Sequence, residues 1–167
     1  IITRNQEAFI VYYQAHLGRL ALASGAAGGP YTLTTLDTGT NRAGFGFTDV
    51  GRQPRAALDP AQTLHIAYHD DIQGSLRYLS WDLVNNLPIT SSEIDGGLAL
   101  NPSKMIGGVD IALRGQTPSV AYHDATNGLL LGARLQPDGE WLQQTLGVQD
   151  IAGLSPAMAA DGFHRQH

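Results

Sequence analysis

Residues 67–74 read AYHDDIQG and residues 121–128 read AYHDATNG, nearly the same eight letters written 54 positions apart. A blurrier version, VYYQAHLG, stands at 11–18. With Tyr12, Tyr68 and Tyr122 in register, the glycines that follow fall together as Gly18, Gly74 and Gly128. A second short apolar run comes after each glycine: RLALAS (19–24), SLRYLS (75–80) and LLLGAR (129–134), in which Leu20, Leu76 and Leu130 coincide. A third run comes next, YTLTTLD (31–37), ITSSEID (89–95) and WLQQTLG (141–147), and it matches Leu36, Ile94 and Leu146. Upstream of the second and third tyrosines lies a fourth, PRAALD (54–59) and VDIALRG (109–115). SPAMAADG (155–162) stands where another copy would begin, and Ile1, Ile2 and Thr3 match the tail of that same run. Self-similarity at a fixed period of this length marks a repeat architecture, so it takes precedence over local propensity.

The runs are short and bounded by Gly, Pro, Asp and Asn, which is the pattern of strands joined by tight turns. In LHIAYHD (64–70) Leu64, Ile66 and Tyr68 face one way while His65, Ala67 and His69 face the other. Both faces carry apolar or aromatic residues, so each sheet is expected to be covered on both sides. No window has a helical period. A β-sandwich with accidental internal similarity is the plain alternative. Four strands per unit at a period in the fifties instead predict an all-β chain of about three four-stranded antiparallel blades, a partial β-propeller. The expected blades are 1–48, 49–104 and 105–152, with 153–167 starting a further one.

The letters also resemble the blades of many secreted or surface-anchored bacterial β-propeller proteins. Those follow a pattern like P-S-h-A-h-D-x-x-G-x-x-H-I-A-Y-x-D, then G-x-L-x-Y, then a strand led by Trp. This chain writes it as PRAALDPAQTLHIAYHDDIQGSLRY (54–78) and more loosely as VDIALRGQTPSVAYHDATNGLLLGA (109–133). The first copy departs, with Tyr13-Gln14 where the others have His-Asp. The resemblance implies a propeller segment that is secreted or displayed at a cell surface. Single-chain propellers close with about 4–8 blades. Further blades are therefore expected, from a longer chain or from a homo-oligomer in which two arcs complete a six-bladed ring. A chain that starts with Ile1 in place of Met fits a processed or truncated N-terminus.

Bulk composition narrows the function classes. The 167 residues carry a net charge of −5 with only 10 Lys+Arg, scattered along the chain. A phosphate backbone needs a basic stripe, so nucleic acid is not an expected partner. No apolar run is long enough to span a bilayer, so membrane insertion is not expected either. Cysteine is absent, which removes disulfides, thiolate nucleophiles and Cys-ligated zinc. No metal site and no cofactor are expected.

The candidate site residues are His69-Asp70 and His123-Asp124, the adjacent Asp71, and Trp81 and Trp141. Imidazole and carboxylate are the groups of acid–base and metal chemistry. Neighbours on a strand point to opposite faces, however, so neither pair makes a site by itself. The competing expectation is structural: the Asp caps the turn and the His packs between blades. Asp71 occurs in its copy alone and has no visible partner in the sequence. Trp81, Trp141, Tyr31 and Tyr78 would stack on sugar rings if exposed, and otherwise serve packing. Asp49, Glu93, Asp95, Asp138 and Glu140 sit near predicted turns, where two carboxyls about 5–10 Å apart would suit glycoside hydrolysis. His164 and His167 would pair on a metal only if the tail were helical. The sialidase-type S-x-D-x-G-x-T-W turn, the nucleophile elbow, the phosphate loop and the Rossmann fingerprint are all absent. The first expectation is a non-catalytic interaction module for a protein or glycan ligand. The alternatives are a polysaccharide-acting propeller enzyme and a structural subunit of a larger surface assembly.

Overall fold

The turn that closes each AYHD-type strand ends on the repeated glycine. Gly18, Gly74 and Gly128 sit at φ 59°, 63° and 65°, left-handed values that cost glycine no Cβ strain. In the computed structural model, which describes residues 1–26, 28–39, 49–96, 106–148 and 156–159, these turns join the second and third strands of three sheets.

The first sheet is β1 (Ile2–Arg4), β2 (Glu7–Gln14), β3 (Arg19–Ala26) and β4 (Thr32–Asp37). The second is β5 (Val50–Leu58), β6 (Thr63–Asp70), β7 (Ser75–Asp82) and β8 (Leu87–Asp95). The third is β9 (Ile106–Arg114), β10 (Thr117–Asp124), β11 (Leu129–Leu135) and β12 (Trp141–Val148). Each is an antiparallel meander in chain order, and no helix occurs among the described residues. The fold is all-β, three propeller-type blades of four strands.

The alternation in β6 decides how the blades stack. Leu64, Ile66 and Tyr68 enter a core with Phe9, Leu20, Leu22 and Leu36 of the first blade. Ala67, on the opposite face, enters a second core with Val109, Ile111, Val120 and Tyr122 of the third blade. One strand is thus buried on both sides by neighbouring blades, and β10 is also buried almost throughout. The outer strands are wetter: Leu33, Leu87, Ile89 and Leu142 are exposed.

A bulge recurs at one place in every blade. The third-to-fourth strand register shifts between Leu20 and Ala21, between Leu76 and Arg77, and between Leu130 and Leu131. The extra residue is Leu36, Ile94 or Leu146, the trio that matched in the sequence. Immediately after it comes Asp37 or Asp95 in the first two blades and Gly147 in the third.

Those two aspartates tie the blades together. Tyr68 donates its hydroxyl hydrogen to Asp37 Oδ2 at 2.6 Å, and Tyr122 donates to Asp95 Oδ2 at 2.7 Å. Each bond runs from the second strand of one blade to the fourth strand of the blade before it. Asp95 was expected near a turn as a candidate catalytic acid; it is instead buried in the second interface. The innermost strand of the second blade also begins earlier than PRAALD indicates, at Val50, and it carries two irregularities flanking Arg52.

Candidate functional site

The start of β5 meets two turns at one end of the first two blades. Val50 N–H donates to Gly18 O at 3.1 Å, and Asp71 N–H donates to Asp49 O at 2.9 Å. Gly51 is wedged here at φ 96°, where an added Cβ would stand 2.7 Å from the Leu20 backbone. Gln53, on the other side of Arg52, is held at φ 48°. The register breaks on both sides of Arg52, between Val50 and Arg52 and between Arg52 and Arg55. Bulges re-aim a side chain out of the ladder, and backbone held in sparsely populated regions clusters where function constrains it.

The Arg52 guanidinium joins three other side chains. Arg52 Nε and Nη2 donate to Asp49 Oδ1 and Oδ2 at 3.2 and 3.0 Å, and Nε lies 3.0 Å from Asp71 Oδ2. The guanidinium carbon stands 5.2 Å from the centroid of the Tyr13 ring. Tyr13 in turn donates to Asp49 Oδ1 at 2.5 Å. The Asp49 bond raises the pKa of Tyr13 and, together with the Asp71 charge, that of Arg52. Burial raises the pKa of Asp71 while Arg52 pulls it down. Arg52 remains about half exposed. The cluster presents a cation, two carboxylates and a phenol at one accessible junction.

Tyr13 occupies the place of His69 and His123, so the copy that departs from the repeat is the one that builds this cluster. His69 and His123 are both buried. Burial pushes the His69 pKa down to about 4, leaving a neutral ring. Its Nε2, and both ring nitrogens of His123, lack a hydrogen-bond partner among the described residues. Asp70 accepts from Gln73 N–H at 3.1 Å. Asp124 accepts from Thr126 N–H and Asn127 N–H, both at 3.1 Å. These are Asx-type turn caps. Asp71 does have a partner, Arg52, which the sequence did not reveal.

The tryptophans are packing residues here. Trp81 lies in the first interface core. Trp141 meets Tyr78 edge-on at 5.2 Å and donates to Ser92 Oγ at 3.0 Å across the second interface. Trp81 is buried, and Trp141 is half-buried. Glu93 lies 4.0 Å from Arg77, and Asp138 accepts from Glu140 N–H in its own turn. His164 and His167 lie outside the described residues.

One buried polar chain crosses the second blade. His65 Nδ1 lies 2.6 Å from the Tyr78 hydroxyl, while its Nε2 stands 3.5 Å from Asp59 Oδ2, within ion-pair range but outside hydrogen-bond geometry. Burial lowers the His65 pKa against the opposing pull of Asp59, and burial pushes Tyr78 up to about 12. Asp59 also accepts from Thr63 N–H at 2.7 Å, which caps the β5–β6 turn. The chain is sealed from solvent and ties the turn to the strand faces. Among the described residues no group of three or more His, Asp or Glu is placed to hold a metal ion.

The fold defines a class, an all-β protein of propeller-type blades. No protein-family model matches the chain, and no curated protein matches it either.

Proposed function

We propose that this chain is part of a non-catalytic interaction module, secreted or displayed at a cell surface, that binds a protein or glycan ligand. The resemblance of its blades to those of secreted and surface-anchored bacterial propellers supports the setting. One observation carries the binding reading: Arg52, paired with His69 between two register breaks, is held half-exposed among Asp49, Asp71 and the Tyr13 ring. A cation, carboxylates and an aromatic edge together suit the hydroxyls of a glycan or the polar groups of a peptide. The repeated His-Asp pairs play no part in it, since their side chains are buried or occupied in turns.

The test is a glycan array and a screen of surface proteins with the wild-type chain and Arg52→Ala. Saturable binding that is lost in the variant, with the urea midpoint unchanged, supports the proposal. Binding that Arg52→Ala leaves intact places the ligand elsewhere. A second reading, polysaccharide cleavage, draws on Asp71, a carboxyl inclined by burial to keep its proton beside a second carboxylate. Hydrolysis of a polysaccharide that disappears in Asp49→Asn would establish that reading in place of the first.

A further inference from the structure

The three positions that carry the repeated bulge differ sharply in exposure. Leu36 is 9% exposed and Ile94 is 3%, each covered by the blade that follows. Leu146, in the same place on the third blade, is 54% exposed. Around it runs a groove of about 290 Å³, lined among others by Ala121, Gly132, Leu142, Leu146 and Met158. Gly132 stands where Leu22 and Tyr78 fill the equivalent place in the first two blades, and the missing side chain opens the groove. By the symmetry of the repeat, this face belongs to a blade-to-blade interface.

The described residues also show what begins to cover it. Residues 156–159 are seated against the third blade: Met158 N–H donates to Asp110 Oδ2 of β9 at 2.7 Å, and Met158 lines the groove. Pro156, Ala157 and Met158 repeat the place of Pro54, Arg55 and Ala56, the innermost strand of the second blade. The competing occupant is the first blade of a second copy. Its outward face would bring Tyr12 to the position of Tyr68 and Tyr122, which reach Asp37 and Asp95. The third blade offers Gly147 there, with no carboxylate to accept. A tyrosine hydroxyl delivered to that place loses water and gains no charged acceptor from the position that Asp37 and Asp95 fill in the first two blades.

We propose that the outward face of β10–β12 is the docking surface of a fourth blade of the same chain, built onto the segment that starts at Pro156. The interface differs from the first two in having no tyrosine–aspartate bond, and apolar contacts on Leu142, Leu146 and Met158 hold it together.

The experiment combines mass and mutation on the polypeptide isolated from its source. The denatured mass is expected to exceed 17.8 kDa by at least one repeat. Leu146→Ala in that protein is expected to lower the urea midpoint as much as Leu36→Ala and Ile94→Ala do, whereas in the chain of residues 1–167 it leaves the midpoint unchanged. A denatured mass of 17.8 kDa with a native mass of twice that would overturn the proposal in favour of the second copy. So would a longer polypeptide in which Leu146→Ala has no effect.

Discussion

Tyr12, Tyr68 and Tyr122 occupy one repeat position in three different surroundings, which makes them an internal experiment. Tyr122 is fully buried and donates to Asp95, itself buried, at 2.7 Å. Burial, and then the bond to Asp95, hold the Tyr122 pKa above its ordinary value, so the hydroxyl keeps its proton and remains the donor. Tyr122→Phe removes one oxygen and leaves the ring packing intact, so its cost isolates the bond. A hydrogen bond to a charged group contributes about 1.5–3 kcal/mol, and the upper part of that range applies where the carboxylate left behind cannot reach water. Tyr68→Phe should cost a similar amount through Asp37. Tyr12 is only half-buried and its hydroxyl has no partner among the described residues, so Tyr12→Phe should be close to neutral. Urea unfolding at constant m-value reads all three. The double-mutant cycle of Tyr122→Phe with Asp95→Ala should show a coupling of about 1.5–3 kcal/mol. A coupling under about 0.5 kcal/mol, or equal costs for Tyr12→Phe and Tyr122→Phe, would refute the claim that these bonds hold neighbouring blades.

Three other perturbations probe different parts of the structure. Gly51→Ala forces a Cβ into the Leu20 backbone at a left-handed φ and should destabilise by about 2–4 kcal/mol, with any ligand binding at Arg52 weakened in the surviving folded fraction. His69 is harder to protonate folded than unfolded, since burial takes its pKa from 6.5 to about 4. The unfolded chain therefore binds more protons between those values, and stability falls as pH drops from about 6.5 to 4, by up to about 3 kcal/mol from this residue. His69→Gln should flatten that slope in a pH series of urea midpoints; an unchanged slope would show that His69 does not carry it. Trp141→Phe loses the bond to Ser92 and should cost about 0.5–1.5 kcal/mol while leaving ligand binding unaltered. Weakened binding there would return Trp141 to the candidate site.

Much of the blade was legible because its signals are periodic. The glycines at 18, 74 and 128, the leucines after them and the alternation in β6 all depend on local chain geometry, which the sequence repeats openly. Bonds between blades depend on which turn lies against which strand, and so they were not legible. Asp37 and Asp95 stood at the ends of matched runs, and Asp95 reads as an acid near a turn, although their tyrosines lie 31 and 27 residues away. The Arg52 cluster was hidden for another reason. Its geometry rests on register breaks around Gly51 and Gln53, upstream of the run PRAALD that was matched between copies. The departure of Tyr13-Gln14 from His-Asp was the one available clue, since a copy that breaks the repeat marks a place where the blades are unequal. The aromatic and imidazole residues that caught attention were mostly those the core had already absorbed.

The most direct test of three blades stacked face to face is amide hydrogen exchange, strand by strand. β6 and β10 are buried almost throughout, whereas β8 is exposed over most of its length and the other outer strands are wetter than the second strands. Slow exchange requires a strand whose ladder bonds open only with the whole unit. Residues 64–70 and 119–124 should therefore exchange slowest, with residues 89–92 well ahead of them. Exchange in β6 as fast as in β8 would mean that the second strand is not enclosed between neighbouring blades, and the stacking described here would be wrong.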